Sequence, residues 1–287
     1  MLKILVWFVS KDTKFLNSAI NILEEQHGGI EIVGKAAGED ISNFDKEVDV
    51  ILVFGAKEIG MGKIVQAARQ LNLPEEKLLG DWIICIPGFT IKNYRRLQCA
   101  QLSIFAMNCF GGLISHLFGL QLRSPFFNMY LSEREFICFL REPHVYMEES
   151  LILKNMLWSE GLEHDYPIAG LGNINLIMNH YRDFNTAKFN WDERKKRINW
   201  YNLFVTMYTE SKETLREFNA LPYGKKVCFV PFKSDLDSAW YINPEIDFDR
   251  KESGFHDIVN NFARGKHFYY DPFDMLLYGK KTQLIDM

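Results

Sequence analysis

Neither sign of charge dominates this sequence: 33 Lys and Arg stand against 37 Asp and Glu in 287 residues, for a net charge of -4. No broad positive field is available for a phosphate backbone, which excludes a general nucleic-acid binder. Close cysteine pairs are missing as well. Five Cys, an odd number scattered along the chain, imply reduced thiols and a reducing compartment, not a disulfide framework. The opening apolar run, residues 4–9, is shorter than the roughly 7–15 residues of a secretion signal and predicts a buried strand with no leader. Residues 98–122 contain no Asp, Glu, Lys or Arg and are long enough for a membrane span. Yet Gln101, Ser103, Asn108, Ser115, His116 and Gln121 interrupt them, and stranding such groups in hydrocarbon is costly. No transmembrane span is expected there; the stretch suits a buried wall of a site. Gly/Ser-rich linkers, internal repeats and low-complexity tracts are also absent, and 47% of residues are apolar, which excludes disorder.

What the chain has in excess is aromatic residues: 23 Phe, 12 Tyr and 6 Trp. Only 8 of these 41 fall in residues 1–100, so the second part uses the rest, either to fill its core or to stack on a ligand. Apolar runs alternate with helical patterns along the whole chain. Strands are predicted over 3–9, 30–33, 48–54 and 82–86, and helices over 13–26, 59–71 and 91–100. Strands buried on both faces and joined by helices imply an α/β fold, with a Rossmann-like parallel-sheet unit over 1–100. Residues 101–287 read as a second, larger and less regular α/β unit packed against it. Its helices are expected over 108–120, 132–140, 185–198, 211–219 and 255–264, the fourth capped by Ser211, and its strands over 126–130, 174–178, 203–208 and 226–231.

Several stretches resemble one bacterial family. They are residues 50–78 (VILVFGAKEIGMGKIVQAARQLNLPEEKL), 102–140 (LSIFAMNCFGGLISHLFGLQLRSPFFNMYLSEREFICFL), 166–172 (YPIAGLG), 178–205 (MNHYRDFNTAKFNWDERKKRINWYNLFV) and 225–232 (KKVCFVPF). The family has no assigned activity, and its members are often labelled exopolysaccharide biosynthesis proteins. The likeness runs over essentially the whole chain and includes Asn-Cys-aromatic-Gly-Gly, Ser-Pro-Phe, His-Tyr and Trp-x-x-Arg-x-x-Arg-Ile-Asn elements. It implies a cytoplasmic accessory to surface-polysaccharide assembly with a Rossmann-like N-terminal unit, and it implies no particular reaction.

A dinucleotide fingerprint needs Gly-x-Gly-x-x-Gly directly between strand and helix. Strand 1 runs into Ser10-Lys11-Asp12-Thr13 without a glycine. Gly55, Gly60 and Gly62 form a displaced, incomplete set with Met61 at the phosphate-loop lysine position. A scaffold role for this unit is the simpler expectation, and the sequence names no cofactor.

The run Asn108-Cys109-Phe110-Gly111-Gly112 offers a nucleophile. A cysteine at a helix start gains thiolate character, and Gly111 and Gly112 let a substrate approach backbone N–H groups. The alternative is that Cys109 is a small buried residue and the glycines permit close packing, as Cys85, Cys138 and Cys228 also read as core. His180, ending an apolar strand just before Tyr181, is the expected base. His116 stands about 10 Å further along the helix axis from Cys109 and is not.

On the helix over 185–198, Trp191, Arg194 and Arg197 align. They form either a clamp for a pyrophosphate or carboxylate with an indole beside it or a solvated basic face. Ser124 and Asn128 either donate to a ligand or fix a turn. Asp235-Leu236-Asp237 and Asp247-Phe248-Asp249 recur too easily by chance to predict a metal, and no Cys/His spacing suggests zinc.

Three functions stay open. The first is a transferase acting on an activated, phosphate-bearing sugar or nucleotide-sugar donor, with Cys109 and His180 at a site between the units. The second is a non-catalytic scaffold or partner in polysaccharide assembly. The third is a cysteine-dependent acyltransferase or hydrolase. No protein partner is identifiable from the residues.

Overall fold

Leu2–Phe8 has no polar residue after Lys3, and it becomes the central strand of a sheet, buried from Ile4 to Trp7. The computed structural model describes residues 1–11, 14–43, 47–245 and 254–286. Its α/β chain divides into two units, Met1–Cys99 with Ser115–Gln121, and Ala100–Ile114 with Leu122–Met287.

The first unit contains β1 (Leu2–Phe8), α1 (Leu16–His27), β2 (Ile30–Ala37), β3 (Val50–Phe54), α2 (Met61–Gln70), β4 (Leu78–Gly80), α3 (Asp81–Ile84) and α4 (Ile91–Cys99). Its strands are all parallel, in the order β2-β1-β3-β4, as in a doubly wound sheet. α1 buries Ala19 and Leu23 and stops at Gly28, whose left-handed φ of 65° lets its N–H reach Glu24 O. The strand expected over 82–86 is displaced, because β4 ends at Gly80 and Asp81 starts a helical turn. Asp81 Oδ1 accepts from Trp82 N at 3.0 Å and Oδ2 from Gly55 N at 3.2 Å. A short apolar run suits a buried helical turn as well as a buried strand, and periodicity does not separate them.

The second unit contains β5 (Ser103–Ala106), α5 (Phe110–Phe118), α6 (Glu133–Arg141), α7 (Pro143–Glu148), β6 (Ile152–Ser159), β7 (His164–Leu171), β8 (Ile174–Ile177), α8 (Phe184–Lys195), β9 (Leu203–Tyr208), α9 (Lys212–Asn219), β10 (Lys226–Val230), β11 (Ala239–Tyr241), α10 (Phe255–Ala263) and α11 (Pro272–Tyr278). The last residues of α5, from Ser115, group with the first unit. A parallel sheet runs β11-β10-β9-β5 and an antiparallel one β6-β7-β8. Of the antiparallel sheet only β8 has a counterpart in the sequence expectation, the strand over 174–178; β6 is exposed along most of its length and shows no alternation.

Residues 126–130 do not form the expected strand. Phe126 N donates to Ser124 Oγ at 3.3 Å and Phe127 N to Pro125 O at 2.8 Å, closing a turn, and Tyr130 makes an isolated bridge to Ile177. Side-chain caps set several helix starts, among them a Ser132/Glu135 capping box on α6, Asp183 on α8, Ser211 on α9 and Asp271 on α11. Between these elements Phe105, Phe126, Phe136, Phe139 and Trp191 pack edge to face, with centroids 4.7 to 6.1 Å apart, and all five are fully buried. Such pairs are each worth about 0.5–1.5 kcal/mol beyond the area they bury. Much of the aromatic excess is therefore core. No helix of the described residues is long and apolar enough to cross a membrane.

Candidate active site

β5 is buried at all four positions, and it delivers the chain into Met107-Asn108-Cys109 ahead of α5. Asn108 shapes this turn. Its Oδ1 accepts from Phe110 N at 3.1 Å, and its Nδ2 donates to Asn260 Oδ1 on α10 at 3.3 Å. Cys109 O accepts from Leu113 N at 3.0 Å, which makes Cys109 the half-in residue at the helix start. β8 ends at Ile177, and a turn closed by Tyr181 N on Met178 O at 2.9 Å carries His180. His180 Nε2 lies 3.5 Å from Cys109 Sγ, within reach for an imidazole to take a thiol proton.

Burial pushes the Cys109 thiol above its ordinary value, with the positive charge of Arg264 pulling the other way. Burial, helped by His164, holds the His180 imidazole below its ordinary value. Both shifts favour neutral forms. They run against the thiolate expected from the helix start, because burial of the thiol outweighs the pull of Arg264. A neutral imidazole is what a general base requires. Next to His180, the side-chain oxygen of Asn179 is buried with no hydrogen-bond partner among the described residues, an unmet demand of the kind that calls for a functional or ligand-based explanation.

Gly111 and Gly112 permit close packing. A Cβ on Gly111 would stand 3.2 Å from Ile104 Cγ2, and one on Gly112 would stand 2.8 Å from Phe127 Cδ1. Their N–H groups lie in the first turn of α5, where a helix has no internal acceptor. Ser124 serves the turn described above, and Asn128 holds a left-handed φ of 61° with its side chain exposed.

The three residues expected to align on one helix face separate. Trp191 is completely buried against Phe126, its Nε1 unpartnered among the described residues, so it builds the core and presents no face to a ligand. Arg194 donates from Nη1 to Tyr181 OH at 2.8 Å and stands 5.5 Å over the Phe127 ring. It thereby supports both the residue after His180 and the ring lying against Gly112. α8 ends at Lys195, so helical periodicity does not extend to Arg197, which is exposed in the turn that follows. Asn199 pins that turn to the start of β5, its N–H on Ser103 Oγ at 2.8 Å and its Nδ2 on Gln101 O at 3.1 Å.

α10 supplies three residues that sequence reasoning missed: Asn260, Asn261 and Arg264. The available signal was a pair of asparagines inside the apolar run Ile258-Val259-Asn260-Asn261-Phe262-Ala263. Both are buried, and buried carboxamides need partners.

In the first unit, Gly55 and Gly60 take φ of 70° and 84°. The Gly55 N–H that a phosphate would require is already held by Oδ2 of the buried Asp81. Gly60 lies against the His116 ring, where an added Cβ would stand 2.8 Å from Cε1. Asp235 and Asp237 are exposed between β10 and β11, while Asp247-Phe248-Asp249 lies outside the described residues. Among the described residues no three His, Cys, Asp or Glu side chains gather as a metal site, and all five cysteines are free thiols.

Residues 84–278 match a protein family described as a domain of unknown function (DUF1919). The chain belongs to this family. The DUF1919 match takes in Cys109, His180, Arg194 and Arg264 and leaves β1 to β4 outside. A Haemophilus influenzae protein described as uncharacterized is 29% identical over 185 residues, which cover 63% of this chain and 84% of that protein. Neither description names a reaction or a polysaccharide, so the geometry of the DUF1919 site carries the functional reading.

Proposed function

We propose that this DUF1919 protein is a cysteine-dependent acyltransferase, hydrolytic when water replaces the acceptor. The observation that carries this reading is the 3.5 Å approach of Cys109 Sγ to His180 Nε2. Cys109 attacks the carbonyl carbon of an activated acyl donor; a sulfur–carbon bond forms while His180 Nε2 takes the thiol proton. The developing oxyanion is received by the Gly111 and Gly112 N–H groups at the start of α5. Collapse then expels the leaving group, which carries off the proton from His180. An acceptor hydroxyl attacks the thioester and passes its proton to His180, the sulfur–carbon bond breaks, and Cys109 recovers the proton. Asn108 positions the nucleophile, and Arg194 with Tyr181 steadies the turn that holds His180.

The setting we assign is surface-polysaccharide assembly in a reducing, cytoplasmic compartment, with a sugar hydroxyl as acceptor. Support comes from the resemblance of residues 102–140 and 178–205 to proteins labelled for exopolysaccharide biosynthesis, and from the five free thiols. A host carrying Cys109→Ala is expected to lose an acyl substituent from its surface polysaccharide, read by NMR. Polysaccharide unchanged in amount and acylation contradicts the setting. A phosphate-bearing sugar donor finds less support, since Trp191 is in the core and Arg197 lies beyond α8.

A second reading, a non-catalytic partner in the same machinery, is favoured by Ile152, Leu153, Leu157 and Trp158, all exposed on the edge strand β6. Thermal stabilisation by nucleotide sugars counts against it.

A further inference from the structure

Resting on the Cys109–His180 reading, we infer that Arg264 recognises an anionic group, a carboxylate or a phosphate ester, carried by the acyl donor. Arg264 closes α10, its N–H bonded to Asn260 O at 2.9 Å. Residues four apart on a helix share a face, so Arg264 stands on the same side as the Asn260 carboxamide. That carboxamide touches Asn108, the neighbour of the nucleophile. The guanidinium is held from within the helix, Nη1 donating to Asn261 Oδ1 at 3.3 Å, and is otherwise exposed. No carboxylate pairs with it among the described residues. Its charge nevertheless reaches the site, pulling the Cys109 thiol down against burial.

A cation at a helix C-terminus also complements the macrodipole. That role needs neither the Asn261 anchor nor a place on the helix face that meets Asn108 through Asn260. A guanidinium fixed at one nitrogen and open at the others matches the paired oxygens of a carboxylate or phosphate. Arg194 is already engaged by Tyr181 and Phe127, whereas Arg264 keeps guanidinium nitrogens open to substrate. The donor class is therefore an acyl compound with an anionic group close to its reactive carbonyl.

The test compares alkylation of Cys109 by iodoacetate and iodoacetamide, followed by peptide mass and referred to the same ratio for N-acetylcysteine amide. The anionic reagent is expected to be favoured at Cys109 by about tenfold over the reference thiol. In Arg264→Gln both rates fall, the iodoacetate rate by about tenfold more, while Arg264→Lys keeps part of the preference. Inorganic phosphate and acetate are added as competitors; protection by either supports the assignment and names the group. A wild-type ratio equal to the reference, a ratio unmoved by Arg264→Gln, or protection by neither anion overturns it while leaving the nucleophile in place. A Cys109 inert to both reagents overturns the acyltransferase reading and this assignment together.

Discussion

Cys109 Sγ and His180 Nε2 stand 3.5 Å apart across 71 residues of chain, and their surroundings hold the thiol above its ordinary 9.0 and the imidazole below its ordinary 6.5. The pH dependence follows from those directions. Acylation of Cys109 by p-nitrophenyl acetate should rise as His180 loses its proton, with a midpoint under 6.5. It should then stay level and climb again above 9.0, where the thiolate forms unaided. The profile of the initial burst against pH checks this. A single rise near an ordinary thiol value, with no inflection below 6.5, removes His180 as the base.

Trp191 separates a core role from a ligand-stacking one. Its ring is completely buried against Phe126, and its Nε1 has no partner among the described residues. Trp191→Ala should cost about 3–5 kcal/mol of stability. Trp191→Phe, which deletes an unsatisfied donor as well as volume, should cost much less. Denaturant unfolding measures both. Trp191→Phe should also keep the acylation rate of Cys109; a loss of rate in a folded Trp191→Phe protein returns the indole to the site.

Gly112 and Gly62 make a matched pair. A Cβ at Gly112 meets the Phe127 ring at 2.8 Å, whereas one at Gly62, inside α2, meets nothing within 4 Å. Gly112→Ala should destabilise by about 1–3 kcal/mol through overpacking. It should also slow acylation, since Phe127 carries Arg194. Gly62→Ala should stabilise by about 0.5–1 kcal/mol through helix propensity. Thermal melts of the two variants decide it, and equal shifts of the same sign contradict the packing role given to Gly112.

The closeness of Cys109 and His180 was only partly legible in the sequence: Cys109 follows β5 of the parallel sheet, where an α/β fold collects its functional groups, but His180 follows β8 of the antiparallel sheet, to which that rule does not extend. The Arg194–Tyr181 contact was half visible: helical spacing placed Arg194 beside Trp191, but a partner 13 residues earlier depends on how β8 turns into α8. Asn260, Asn261 and Arg264 were missed: two asparagines in an apolar run signal buried carboxamides, but the contact of Asn108 with Asn260 spans 152 residues and no local pattern names that partner. The fold divides in the same way. β1, β3 and β9 are largely apolar runs, broken only by Lys3 and Thr206, and they lie where expected. Residues 82–86 and 126–130 are equally apolar, but Asp81 and Ser124 bend the backbone through side-chain hydrogen bonds, and such local competition overrides the pattern.

Single-turnover acylation decides whether Cys109 is a nucleophile with His180 as its base. The protein is mixed with p-nitrophenyl acetate, quenched in acid and mapped by peptide mass, with circular dichroism confirming that each variant is folded. One acetyl group is expected on Cys109 in the wild type, formed about a hundredfold more slowly in His180→Ala and absent from Cys109→Ala. Acetyl groups spread over lysines and the exposed Cys99 with Cys109 unmodified, or an unchanged Cys109 rate in His180→Ala, would contradict it.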